Sequence, residues 1–264
     1  MPTPVTLNIL ALLSLLPAAL VPLRAGGGRD AAFWGAISLA VLGPAVSTTL
    51  LLSGAWQTDL GTTVWVSLAA SSGLFALVAA TTRQGWRLAP LMMPYLAVMG
   101  ALASVVRGEP RPMVASAPAI WLDAHIVVSV LTYALLTLAA VASLGVFLQE
   151  RALKTKRPNR LTRMLPPVME GERLADRLLL ASEAVLGIGV ATGMATQYFE
   201  TGSLLVADHK TLLSLIAFAL IGAVLAGHRV CGVRGRMAAR VVLVAYLLVT
   251  LAFPGVKFVT QVLL

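Results

Sequence analysis

Charge is scarce in this sequence. Only 12% of the 264 residues are charged while 58% are hydrophobic, and that charged share is about half of what a soluble domain carries. A chain so poor in charge is not expected to be a soluble domain, and the bilayer is the first environment to test. Cysteine is nearly missing too. The single Cys231 excludes a disulfide framework, a thiol relay and CxxC chemistry. No HExxH, GxxxxGK[ST] or GxSxG pattern occurs, so the sequence offers no hydrolytic or nucleotide-dependent centre and an enzyme is not expected. Hydrophobic alternation of period two is also lacking, which excludes a membrane barrel.

What is present is a series of long apolar runs. A hydrocarbon core of roughly 30 Å needs about 20 apolar residues per helical span, and eight runs meet that need, at 5–23, 31–54, 62–82, 88–106, 121–148, 179–198, 210–228 and 241–263. Their richness in Leu, Ala, Val and Gly predicts an all-α polytopic transmembrane bundle that occupies residues 1–264 as a single domain. The first run has no basic segment before it and no convincing cleavage site before Arg24, so it is expected to be retained.

The net charge of +9 would suit nucleic acid, but its distribution argues otherwise. Sixteen of the 20 Lys and Arg residues fall between spans 1 and 2, 3 and 4, 5 and 6, and 7 and 8, whereas Arg107, Arg111, Lys210 and Lys257 fall on the other side. This alternation is the positive-inside pattern, and it predicts both termini in the periplasm of a bacterial inner-membrane protein with no nucleic-acid partner. The largest basic segment is a cytoplasmic loop at 149–178, which divides spans 1–5 from 6–8 and carries Pro158 and Pro166-Pro167. A short interfacial helix is expected after Pro167. The loop is either a solvated stretch held near anionic headgroups or a docking site for a soluble partner. Outside, the stretch from Arg107 to Pro118 contains three prolines and caps span 5.

Within the spans, Gly189 with Gly193 and Ala223 with Gly227 form small-xxx-small steps that predict close helix packing. Gly43-Pro44 predicts a kink in span 2. His125, Ser129 and Tyr133 recur every fourth residue, so they share one stripe of span 5. That stripe serves either as a polar helix contact or as a ligand face. Imidazole is a strong ligand for haem iron, and His125 and His209 begin spans 5 and 7 at the same membrane face, so they qualify as an axial pair. His209 and His228 do not, because 19 residues at 1.5 Å each separate them by roughly 28 Å. Glu183 lies near the cytoplasmic end of span 6, where it binds a cation, carries protons, snorkels, or pairs with an arginine of the basic loop. Asp208 has the position of an N-cap for span 7. The tryptophans Trp34, Trp56, Trp65, Trp86 and Trp121 read mostly as interfacial belt residues.

Two segments carry a family resemblance. The run from Ala124-His125 through Ser129 and Tyr133 to Ala134, followed by a basic end, resembles the His-led segment of the cytochrome c assembly (CcsA/CcmC-like) membrane family. The order Asp208-His209-Lys210, helix, Gly227-His228-Arg229 and Arg234-Gly235-Arg236 is similar to the C-terminal part of that family, and Pro166-Pro167-Val168-Met169 resembles its YpjD- and HemX-like branch. The resemblance covers residues 120–264 best. It implies a CcsA-like membrane fold, haem as cofactor, a role in cytochrome c biogenesis, and other cytochrome c maturation proteins as partners beside the lipid bilayer. It implies His125 as the outer histidine and His228 as the inner one. The tryptophan-rich WWD loop of the family corresponds to Glu200–His209, which contains no tryptophan, and the family's remaining two histidines have no counterpart, with His209 the one candidate to substitute. The reading from another class is a non-haem protein, either a small-solute or ion efflux component that uses Glu183 or a regulator that engages a haem-synthesis enzyme through residues 150–177.

Overall fold

The computed structural model describes residues 4–24, 28–52, 59–105, 118–204, 206, 208–230 and 235–255. Cys231, Arg234, Trp56, Lys257, Arg107 to Ala117 and the outer ends of several spans lie outside them. Nine α-helices are described: α1 (Pro4–Leu20), α2 (Ala31–Leu51), α3 (Leu60–Thr81), α4 (Ala89–Val105), α5 (Ala119–Lys154), α6 (Arg160–Met164), α7 (Val168–Thr201), α8 (His209–Val230) and α9 (Arg236–Thr250). Among the described residues there is no strand.

Six segments are long and apolar enough to cross a membrane: α2, α3, Gly85–Val105, α5, α7 and α8. Two shorter apolar helices, Val5–Leu20 and Met237–Thr250, occupy the first and last of the eight apolar runs. The protein is therefore a multi-pass membrane protein.

Local chemistry starts the helices where the sequence has isolated polar residues. Asp30 accepts the Phe33 amide at 2.9 Å, Asp59 accepts the Thr62 amide at 2.8 Å, and Asp208 accepts the Thr211 amide at 2.8 Å. Each aspartate thus satisfies an N–H that a helix start leaves unpaired. Gly202, at φ +73°, ends α7 in the left-handed conformation that suits glycine.

The helices pack as two rings of four. In the first, α1 packs on α2, α2 on α3, α3 on α4, and α4 back on α1; in the second, α5 packs on α7, α7 on α8, α8 on α9, and α9 back on α5. The rings join mainly through α3 against α5. Every residue of α5 from Thr132 to Ser143 is buried, and one apolar core runs through both rings. The basic loop that separates spans 5 and 6 in sequence is thus not the seam in packing, because α5 and α7 are the most closely associated pair.

Several expectations need correction. No break separates an interfacial helix from span 6, since α7 runs unbroken from Val168 to Thr201. Neither proline nor a capping residue interrupts it. Glu183 consequently lies in the middle of a helix and not one turn inside its end. Trp65 is no belt residue: it is fully buried, and its ring lies 3.2 Å from where a Cβ at Gly100 of α4 would stand. Gly43 sits where a Cβ would collide with Ser14, so it lets α1 and α2 touch. α2 stays one helix through Pro44, which is compatible with the kink expected there.

The basic segment after α5 is folded. Asn159 and Thr162 form a capping box on α6. Gln149 of α5 donates from its amide to the carbonyls of Thr162 at 2.7 Å, Pro166 at 3.2 Å and Leu165 at 3.3 Å, which ties the loop to the end of α5.

Candidate functional site

The end of the bundle opposite the basic segments holds a cavity of about 390 Å³. It lies inside the second ring, with Thr63 and Val66 of α3 closing one side. His125, Ser129 and Tyr133 all line it, so the four-residue spacing read from sequence does face one space. Ile126, Val130, Leu186, Val190, Met194 and Leu215 supply apolar wall, while Glu200, Asp208 and Lys210 stand among the polar residues at the helix ends. Few polar groups converging on an apolar hollow is the usual form of a small-molecule site.

His125 is held by α7. Its Nδ1 lies 3.2 Å from Thr192 Oγ1, and the Thr192 hydroxyl itself donates to the carbonyls of Ile188 at 3.0 Å and Gly189 at 3.1 Å. Oγ1 can accept from an Nδ1–H while its own hydrogen goes to the backbone, so the contact suits the tautomer with the proton on Nδ1. In that tautomer Nε2 keeps its lone pair, which is the form in which a histidine ligates a metal while a partner fixes the ring.

The small-residue step on α7 makes this contact possible. A Cβ at Gly193 would stand 3.0 Å from His125 Cε1 and 3.4 Å from Nδ1, and one at Gly189 would stand 3.4 Å from Val128 Cγ1. The step read from sequence as a packing device is therefore also the bed of the imidazole ring. Thr192, which sequence reasoning passed over, sits between the two glycines.

Below the cavity three tyrosine hydroxyls meet, one each from α4, α5 and α9. Tyr133 and Tyr246 lie 3.2 Å apart, Tyr95 and Tyr133 3.5 Å apart, and Tyr95 and Tyr246 are also bonded. Tyr133 thus joins the cavity to a hydroxyl cluster that ties both rings together. Nothing in the spacing of Tyr95 and Tyr246 announces this, because their meeting depends on the tertiary arrangement.

His209 is not brought to the same place. It is exposed, the α8 wall of the cavity is formed by Lys210, Thr211, Ser214 and Leu215, and α5 and α8 stand diagonally in the ring with α7 and α9 between them. His125 is the one histidine that lines the cavity among the described residues. Asp208 caps α8 as expected. Partial burial raises its carboxyl pKa, but hydrogen bonds from the Thr211 amide and hydroxyl and the nearby Lys210 and His209 outweigh that, leaving it below the usual carboxylate range.

His228 lies at the basic end, with Nδ1 2.8 Å from Asp176 Oδ1, an ion-pair distance without hydrogen-bond angles. The pair borders a small cavity of about 30 Å³, enough for a water molecule. Glu183 forms no ion pair with an arginine among the described residues. Its Oε1 lies 3.1 Å from where a Cβ of Gly222 would stand, and its Oε2 is buried without a hydrogen-bond partner. Among the described residues no group of three or more His, Cys, Asp or Glu side chains forms a metal cluster.

Comparison with known proteins gives three findings. The family model described as Cytochrome C assembly protein matches residues 32–264. The chain is 57% identical over 263 residues, 97% of each chain, to a protein of Azospirillum brasilense named "Uncharacterized 28.8 kDa protein in nifR3-like 5'region". It is also 26% identical over 188 residues, 70% of this chain and 69% of the relative, to "Inner membrane protein YpjD" of Escherichia coli strain K12. No solved structure matches.

Proposed function

Because the chain belongs to the cytochrome c assembly protein family, we propose that it handles haem for cytochrome c biogenesis, without being an enzyme, at the cavity that His125 lines. The observation that carries this reading is the placement of His125 on the wall of an apolar cavity, with Nδ1 3.2 Å from Thr192 Oγ1 and the contact suited to a tautomer in which Nε2 can ligate iron. The donor set fits the group. His125 would hold bound haem through an imidazole nitrogen, and the group would supply the iron that this nitrogen binds. Lys210 at the mouth offers a cation to acidic side groups, and Ser129 and Tyr133 offer hydroxyls deeper in. His209 has no ligand role in this reading, and neither has His228.

The same proposal includes location and topology. The relative named as an inner membrane protein supports the bacterial inner membrane, and the Lys and Arg distribution supports eight spans with both termini and the His125 cavity on the periplasmic side. The partners in that setting are the bilayer and other cytochrome c maturation proteins.

Colour tests the proposal. Protein purified in mild detergent from haem-replete cells is expected to show a Soret band, and His125→Ala is expected to remove it while eluting from a sizing column as the parent does. Colourless parent protein, or an unchanged band in His125→Ala, would refute the assignment.

A further inference from the structure

Glu183 remains unused by the haem reading, and its surroundings are specific. It stands 15 residues after the first residue of α7 and 18 before the last. On α7 no other ionisable side chain occurs between Arg177 and Tyr198, and on α8 none occurs between Lys210 and His228. On α5, the other helix packed against α7, Tyr133 is the only one between His125 and Glu150. A carboxyl without an ionisable neighbour along an apolar span is costly, and such residues mark ion and proton paths more often than packing.

The α7–α8 interface connects this carboxyl to the cavity. On α8, Ser214, Phe218 and Gly222 recur every fourth residue and so share one face. Ser214 lines the cavity, Phe218 lies 3.3 Å from the Cβ position of Gly187, and Gly222 receives the Glu183 carboxyl. On α7, Glu183, Gly187, Val190 and Met194 follow the matching helical stripe, the last two lining the cavity. Along this stripe the Phe218 ring, 37% exposed, comes between Ser214 at the cavity and Gly222 at the carboxyl. Gly222 gives the carboxyl its room, since a side chain there would displace it.

The chemistry of the site selects the ligand. A metal cation needs several donors, and Glu183 belongs to no group of three or more His, Cys, Asp or Glu among the described residues. A proton needs one oxygen and no coordination sphere. We propose that Glu183 is a proton-binding site within the bilayer that exchanges with the His125 cavity along the α7–α8 interface, past Phe218. The exchange is a plain transfer, with a hydronium ion giving its proton to the carboxylate and leaving water, and the reverse on release. It requires no haem and stands apart from the haem reading.

Infrared spectroscopy of the full-length protein in lipid tests this. A carbonyl stretch of a protonated carboxyl is expected in the parent, lost in Glu183→Gln, and shifted on transfer to D2O. In Phe218→Ala, which leaves Glu183 in place, deuterium is expected to enter that band several-fold faster. Labelling by dicyclohexylcarbodiimide, read by mass spectrometry on the parent alone, is expected at Glu183 and covers the case in which Glu183→Gln fails to fold. A spectrum in which no band depends on Glu183, or a parent that is not labelled there, overturns the proton site. An exchange rate indifferent to Phe218→Ala but altered by Asp176→Asn overturns the route through the cavity, because the proton would then come from the basic end.

Discussion

Replacing Gly189 or Gly193 by alanine adds the same methyl to the same helix, so any difference between the two variants reports what each one faces. At Gly189 the new Cβ meets Val128 Cγ1 at 3.4 Å and Thr132 Oγ1 at 3.9 Å, which is ordinary contact. At Gly193 it meets His125 Cε1 at 3.0 Å, tighter than ordinary contact, so the ring must give by a few tenths of an ångström and strain its 3.2 Å contact with Thr192 Oγ1. Gly to Ala within a helix gains up to about 1 kcal/mol. Against that, overpacking costs about 1–3 kcal/mol, and giving up the Nδ1 hydrogen bond costs about 1 kcal/mol more. Gly189→Ala is therefore expected to be neutral or stabilised by up to about 1 kcal/mol, and Gly193→Ala to be destabilised by about 1–3 kcal/mol. Unfolding in mixed micelles with rising SDS, followed by tryptophan fluorescence, measures both. Equal stabilities would mean that the imidazole does not rest on Gly193, and the tautomer argument for Nε2 would go with it.

Three further outcomes are expected. Asp208→Ala removes the cap of α8 and should cost about 1 kcal/mol at neutral pH. Because the Asp208 carboxyl is held below its usual range, its charge contributes stability that is present above about pH 3.9 and lost as pH falls through the lowered folded value, so Asp208→Asn and the parent should converge in acid unfolding curves below pH 3.9. An alkaline-phosphatase fusion after Pro158 should be inactive in cells, and full activity would invert the topology and place the His125 cavity on the cytoplasmic side.

Much of the fold was legible because its signals are local. Apolar runs gave the helices their places, Asp208 announced the start of α8, and the Gly189–Gly193 step announced a close approach. The ends of α5 and α7 were not, since a hydropathy reading stops where charge appears, at about 148 and 179, whereas the backbone stays helical until something breaks it. Gln149 and the Asn159 capping box then organise residues that composition alone reads as loop. Trp65 was misplaced for a related reason, because a tryptophan near a span end suits an interface equally well as a core, and only Gly100 opposite decides between them. At the site, the stripe of His125, Ser129 and Tyr133 was visible as a period of four. The partners that give it meaning, Thr192, Gly193, Tyr95 and Tyr246, come from other helices, and helix order around a ring is not written in any one helix. The same reason explains His209, whose expected depth matched that of His125 but whose helix stands across the ring.

The cavity borrows one side from the other ring, through Thr63 and Val66 of α3. Its walls are thus shared between two bodies, and its width is set by how closely those bodies sit. Residues along the α3–α5 boundary, many of them far from His125, can enlarge or shrink the hollow while leaving the imidazole, its threonine and its glycine bed untouched. Within a lineage this permits the guest to change through substitutions at a joint, with the chemistry of the holding group kept as it was.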